Sequence, residues 1–285
     1  MHVATPRFVR CVRGTRRLLT HVTYRTGYGC PVLVLGVCSL KGGVGKTSVT
    51  LGLASAALER GLRTLVVDMD PQGDVTMSLG ARPEGGDIAD VLDAPDAQTV
   101  AAATVASTWA DTGLDVLVGS ERNARHDRLG DDDLDRLRFA LSWVHDYDLV
   151  LVDCPPSLGS LTRTGLTACD RAMVVTEPGL FAVMAVGRAM RTIDELRRGP
   201  APALQPLGIT VNRVRARSLE QAYRLEELGN LYGPLLLSPS VPERAALQQA
   251  QGAAQPVHAW PGAAAAELSG IFDALLDRAL RAPRR

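Results

Sequence analysis

The stretch "SLKGGVGKTS", residues 39–48, holds both lysines of the chain, Lys41 and Lys46. The sequence carries 31 basic side chains, so the other 29 are arginines. An ammonium is a compact charge on a flexible stem, whereas a guanidinium is a planar fork. Two lysines confined to one short stretch therefore point to two tasks that arginine cannot perform. Gly42, Gly43 and Gly45 surround Val44 and let successive backbone N–H groups turn toward one anion. Thr47 and Ser48 add hydroxyls. A strand, a glycine-rich loop and a helix in this order make a cradle for nucleotide phosphates. The usual spacing GxxxxGK[ST] is not met, because Leu40 stands where its first glycine would be. Two further stretches supply carboxylates. "VVDMDPQGD" carries Asp68 and Asp70, and "LVLVDCPP" carries Asp153. Each follows an apolar run, and the carboxyl ends of strands are where open α/β sheets bind ligands. A carboxylate there is placed to hold Mg²⁺ directly or through its water. A single strand-end aspartate is as readily a cap or turn residue. Three of them beside the loop favour phosphoryl transfer, which needs positioning and charge stabilisation more than covalent chemistry.

The elements that position these residues alternate along the chain. "VLVLGVCS" is a continuous apolar run, as in a strand covered on both faces. "TSVTLGLASAALERG" predicts a helix stopped by Gly61. "RTLVVDMD", "LDVLVGS", "YDLVLVDCPP", "RAMVVTEP" and "LQPLGITVNRV" predict further strands. Residues 75–112 predict short helices and loops. "DDDLDRLRFALSWV" predicts a helix with acids in its first turn, "LGSLTRTGLTAC" another, and "FAVMAVGRAMRTIDELRR" a long one. Toward the C-terminus come helix "LEQAYRLEELGN", a short strand "PLLLS", helix "PERAALQQAQ" and a last helix from about Ala263 to Leu280. This alternation predicts an α/β fold with a mainly parallel twisted sheet and helices on both faces.

Hydrophobic content of 46% with 22% charged residues is that of a globular protein able to bury a core. The net charge of zero conceals an asymmetry. Residues 1–30 hold six arginines and no acid, which leaves 25 basic and 31 acidic residues in the remainder, a net of −6. The expected division is a basic N-terminal extension over 1–30 and one domain over 31–285. The five cysteines are scattered, with no CxxC pair, so neither a disulfide framework nor a zinc site is indicated, and a reducing cytoplasm fits. No apolar run approaches the length of a membrane span.

With Lys41 opening the loop, "KGGVGKTS" resembles the deviant phosphate loop of the ParA/MinD family of P-loop ATPases. "DMDPQG" resembles the partition branch of that family, the ParA proteins. The resemblance runs over about 33–280 and is most specific at 39–48, 66–73 and 148–156. Asp74 departs from the small or amide residue usual at that place, beyond the catalytic groups. The resemblance implies ATP and Mg²⁺ as ligands, with Lys46 on the β- and γ-phosphates, Thr47 on the metal and Ser48 on a neighbouring phosphate. It implies that Lys41 reaches across a nucleotide-bound homodimer to the partner's phosphates. It implies that Asp153 holds a metal-bound water, that Asp70 positions or activates the attacking water, and that Asp68 is a metal-shell or switch residue. Asn212, in "TVNRV", is implied as a contact to the adenine edge, with a strand-capping turn as the alternative.

ParA dimers bind DNA without sequence preference and hydrolyse ATP slowly until a ParB-like partner stimulates them. The resemblance therefore implies a cytoplasmic, nucleoid-associated protein with no membrane partner. Candidate DNA contacts are Arg213, Arg215, Arg217, Arg224 and Arg244. In "NRVRARS" an extended backbone would put alternate arginines on one side. The alternative is a solvated loop compensated by Glu220, Glu226, Glu227 and Glu243. Arg7, Arg10, Arg13 and Arg17 share one helical face of the N-terminal segment, which reads as a basic amphipathic helix or as an unstructured tail. A MinD-like membrane-associated ATPase is the alternative function. The apolar stripe Leu268, Ile271, Leu275 and Leu276 reads more simply as a last helix packed in the fold. An ATP-dependent ligase or an iron–sulfur ATPase on the same scaffold is a third reading.

Overall fold

The computed structural model describes residues 32–110, 113–128 and 133–282. The basic segment 1–30, with Arg7, Arg10, Arg13 and Arg17, lies outside the described residues.

Seven strands form one sheet in the order β3-β4-β2-β5-β1-β6-β7. They are β1 (Leu33–Cys38), β2 (Thr64–Asp68), β3 (Thr104–Ala106), β4 (Leu114–Leu117), β5 (Leu149–Asp153), β6 (Arg171–Thr176) and β7 (Gln205–Val211). All pairings are parallel except that of β3 with β4. Among the described residues ten α-helices lie between and after them: α1 (Lys46–Glu59), α2 (Asp74–Ser78), α3 (Ile88–Asp93), α4 (Ala97–Ala103), α5 (Arg136–Leu141), α6 (Ser160–Thr167), α7 (Ala182–Arg198), α8 (Leu219–Tyr232), α9 (Ala245–Gly252) and α10 (Ala263–Arg281). The mainly parallel α/β sandwich expected from the alternation is the fold observed.

The apolar runs are continuous because successive side chains enter opposite layers. In β5, Leu149 and Leu151 join a core with residues of α1, α9 and α10. Val150 and Val152 join a second core with residues of α3, α5, α6 and α7. A fully buried Phe272 of α10 sits where a Cβ on Gly52 of α1 would meet its ring at 2.3 Å, so only glycine lets the two helices approach this closely. The apolar stripe of α10 is thus used inside the fold, with Leu268, Leu275 and Leu276 buried and Ile271 packed against the same core. Among the described residues no helix is long and apolar enough to cross a membrane.

Three local expectations are corrected. The helix expected over 131–144 spans only Arg136–Leu141, and its first turn holds no acid. Asp133 and Asp135 instead precede it and pair with Arg136 and Arg138, each at 2.7 Å. "PLLLS" is not a strand. A 3₁₀ turn at Gly233–Leu235 leads to a single bridge between Leu236 and Ile209, because the turn leaves only one residue in register with β7. "NRVRARS" is not extended. Arg213 adopts a left-handed backbone with φ 57°, and Ser218 N–H donates to the Arg215 carbonyl in a turn that leads into α8. Alternate arginines therefore do not share one side. Segment 121–128, unassigned by the sequence patterns, is a 3₁₀ helix, Glu121–Arg128.

Candidate functional site

The loop between β1 and α1 lies at the carboxyl edge of the sheet, between β5 and β6. Gly45 has φ +83°, and a Cβ there would come within 2.1 Å of the Asn212 amide nitrogen. Both conformation and space therefore demand glycine. α1 begins at Lys46, and no side chain caps its start. Its first amides have no acceptor within the helix, so this end offers aligned N–H groups to an anion. Asn212, buried just after β7, braces the loop by donating its amide N–H to the Val44 carbonyl at 2.8 Å. Ser48 Oγ donates to Gln251 Oε1 of α9 at 3.2 Å.

Lys46 is 5% exposed. Its Nζ lies 2.6 Å from Asp153 Oδ2 and 3.6 Å from Asp70 Oδ2. Burial alone would lower the pKa of this ammonium, but the charge and hydrogen bond of Asp153, with the charge of Asp70, hold it above its ordinary value. Thr47 Oγ1 donates to Asp153 Oδ2 at 3.0 Å, and Thr50 Oγ1 donates to Asp153 Oδ1 at 2.6 Å. Both Asp153 oxygens are thus occupied from α1.

Asp68 and Asp153 end neighbouring strands directly opposite one another. Asp68 Oδ2 accepts from Thr76 N–H at 2.9 Å and Thr76 Oγ1 at 2.7 Å. Burial, with the Asp153 charge beside it, pushes the Asp68 carboxyl up to about 7. Asp70 turns back over the loop, and its Oδ1 accepts from Gln72 N–H at 3.1 Å. Lys46, Thr47, Asp68, Asp70 and Asp153, far apart in sequence, are therefore brought together.

The donor set suits a dication. Three carboxylates face one buried ammonium, and a threonine hydroxyl stands beside them. Among the described residues no ready-made group of three ligating side chains is present. Mg²⁺ keeps several waters and takes one or two carboxylates plus phosphate oxygens. A magnesium ion here would draw on Thr47, Asp68 and Asp153, the hydroxyl and the two strand-end carboxylates of this corner.

Lys41 lies apart from this cluster. Its side chain is 59% exposed and pairs with Glu177, just beyond β6. Lys41 and Glu177 line a surface cleft with Phe181 and Arg188. Leu180, Phe181 and Met184 are exposed there.

The candidate DNA-binding arginines are mostly engaged. Arg215 pairs with Glu243. Arg224 bonds Glu220 and Glu227, each at 3.0 Å, and Arg244 grips Glu267 at 2.8 and 3.0 Å. Arg213 and Arg217 make no ion pair among the described residues.

The sequence reading missed Thr50, Thr76, Glu177 and Gly119. Thr50 follows Lys46 by one helical turn, a spacing that could have revealed it. Gly119 carries no such signal. A Cβ there would stand 2.6 Å from Asp68 Cγ, so the glycine makes room for the carboxylate.

The chain is similar to several known proteins. A family model described as an AAA domain matches residues 32–205. The chromosome-partitioning ATPase Soj of Thermus thermophilus is 30% identical over 76% of this chain and 83% of its own length. The chromosome partitioning protein ParA of Myxococcus xanthus is 28% identical over 85% of this chain and 87% of its own. A solved structure of cobyrinic acid a,c-diamide synthase from Mycobacterium smegmatis, with bound ATP analogue and magnesium, is 29% identical with a TM-score of 0.73, covering 89% of this chain and 98% of that one. With its lysine-opened phosphate loop, its strand-end aspartates and these relatives, the chain belongs to the ParA-type partition ATPases of the ParA/MinD family.

Proposed function

We propose that this ATPase binds ATP with Mg²⁺, dimerises across the nucleotide, holds non-specific DNA in that state, and hydrolyses ATP slowly until a ParB-like partner accelerates it. The observation that carries the reading is the convergence of Lys46 on Asp153 and Asp70 at the start of α1. The first-turn amides and Lys46 hold the β- and γ-phosphates. Lys46 exchanges its Asp153 partner for phosphate oxygens, and Asp153, Asp68 and Thr47 would then hold Mg²⁺ directly or through its waters. When bound, Mg²⁺ neutralises charge that develops on the transferred phosphoryl group. Asp70 orients a water for attack on the γ-phosphorus, the bond to the bridging oxygen breaks, and ADP and phosphate leave. Asn212 spends one amide N–H on Val44, which leaves its other N–H and its Oδ1 for the adenine edge.

Lys41 reaches the partner's phosphates after leaving Glu177. Arg213 and Arg217 are the readiest DNA contacts. Arg215, Arg224 and Arg244 contribute where a DNA phosphate displaces their glutamates. Nucleoid association follows from such contacts, which weaken steeply with salt.

A second reading, an ATP-dependent ligase, draws on the 29% identity to the diamide synthase. The test is ATP turnover and co-sedimentation with duplex DNA or with anionic liposomes, each with and without ATP and Mg²⁺. The proposal expects Mg²⁺-dependent turnover and ATP-dependent, salt-sensitive DNA binding. Lipid binding without DNA binding would favour the MinD-like alternative. Turnover that requires a small carboxylate substrate would favour the ligase.

A further inference from the structure

The 3₁₀ segment Glu121–Arg128 has one fully buried polar side chain directed at the site, Asn123. Its amide Nδ2 donates to the Met69 carbonyl at 2.6 Å. The acceptor fixes the orientation of the amide, because a carbonyl oxygen cannot donate. Met69 stands between Asp68 and Asp70. Its N–H is held from the other side by the Asp153 carbonyl at 3.0 Å. The peptide that leads into Asp70 is therefore gripped at its C=O by Asn123 and, one peptide earlier, at its N–H by β5. Rotation of that peptide would swing Asp70 away from Lys46, which it faces at 3.6 Å.

The segment is itself anchored outside the site. Arg122 bonds Asp87 and Asp90 of the α3 start, the nearest contact to Asp87 at 2.9 Å, and Asn123 N–H closes a turn on the Ser120 carbonyl at 3.0 Å. Such anchoring makes Asn123 a fixed point rather than a follower of the turn it bonds.

We infer that Asn123 is a positioning residue for hydrolysis: its amide locks the Met69–Asp70 peptide and so keeps the Asp70 carboxylate aimed at the lysine of the phosphate loop. The inference rests on the assignment of Asp70 under the proposed function. Asn123 bonds the Met69 and Ser120 carbonyls and none of Lys46, Thr47, Asp68 or Asp153, so it acts on kcat and leaves ATP affinity alone. A displacement of about 1 Å at a positioned group costs on the order of 10²-fold in rate.

The test uses Asn123→Ala and Asn123→Asp, the second keeping the shape while losing the donor. ATP affinity is read with a fluorescent ATP analogue, kcat by phosphate release, and folding by thermal melting. The expected result is a kcat lowered about tenfold or more, with ATP affinity within about twofold of wild type. In an Asp70→Ala background the same substitutions should lower kcat no further, since the group being positioned is gone. An unchanged kcat in a folded variant overturns the inference. So does a parallel loss of kcat and affinity, or failure of both variants to fold, because the amide then holds the fold rather than Asp70. If Asp70→Ala alone turns over at the wild-type rate, it is the assignment of Asp70 that has failed.

Discussion

The ammonium of Lys46 and the Asp153 carboxylate meet at 2.6 Å in a pocket closed to solvent, although 107 positions separate them in the chain. The pair joins the phosphate loop to the end of β5. Lys46→Met should abolish ATP binding. It also strands buried carboxylates, and breaking such a pair from one side costs on the order of 3 kcal/mol. Urea unfolding without nucleotide checks the second effect, and a fluorescent ATP analogue the first. A variant that binds ATP as wild type would remove Lys46 from the phosphates.

Asp70→Ala removes a carboxylate that holds neither strand nor helix. ATP binding should persist while hydrolysis falls by about 10²–10⁴-fold, the range for loss of a positioned acid–base group. DNA-bound dimers should then accumulate, which gel shift in ATP would reveal. Normal turnover would mean that another group handles the water.

Asp68 makes stability depend on pH in an unusual sense. Its carboxyl titrates at 3.8 when unperturbed and at about 7 in the fold. The fold thus binds this proton more tightly than the unfolded chain does. The contribution is fully present below about pH 4 and is lost as pH rises through about 7. In EDTA, without nucleotide, wild type should lose stability over this window relative to Asp68→Asn. Parallel pH–stability curves for the two proteins would contradict the prediction.

Gly119→Ala tests the space around the same carboxylate. The added Cβ would lie 2.6 Å from Asp68 Cγ, so something must move. Overpacking of this kind costs about 1–3 kcal/mol, and turnover should fall with it. The double change Gly119→Ala with Asp68→Ala should restore stability but not turnover, since Asp68 is itself assigned to the metal; a double variant as unstable as Gly119→Ala would place the clash elsewhere.

Lys41 and Glu177 form an exposed pair, worth about 0–1 kcal/mol. Glu177→Gln should therefore leave the melting temperature nearly unchanged. Lys41→Ala should leave ATP binding by the single chain intact and remove the ATP-dependent dimer. Sedimentation with a slowly hydrolysed ATP analogue distinguishes these outcomes. A Lys41→Ala protein that still dimerises would separate this lysine from the interface.

Much of this was written plainly in the sequence. β1, β2, β5, β6 and β7 announce themselves because both faces of each strand are buried, which forces unbroken apolar runs. Asp68, Asp70 and Asp153 could be found because they stand at the ends of those runs, and Lys46 because it closes the glycine-rich loop as one of two lysines in the chain. β3 could not. Three residues in an alanine-rich stretch become a strand only through their partner β4. Residues 234–238 misled in the opposite direction, since their leucines are drawn inward as a strand's would be while the 3₁₀ turn denies them a ladder. The arginines of 213–217 misled because a left-handed Arg213 breaks the alternation on which a one-sided stripe depends. Gly119 and Asn123 are set by partners distant along the chain, and neither residue type nor spacing records such a partner.

The close fit of Phe272 against Gly52 has a bearing on how the protein is made. α1 springs from the phosphate loop, yet the ring that packs against it belongs to α10, which is synthesised after every strand of the sheet. A nascent chain thus carries its ATP-binding segment with an apolar face uncovered until α10 has been made. Chaperone engagement is expected during that interval, and competence to capture nucleotide should arrive abruptly once α10 docks.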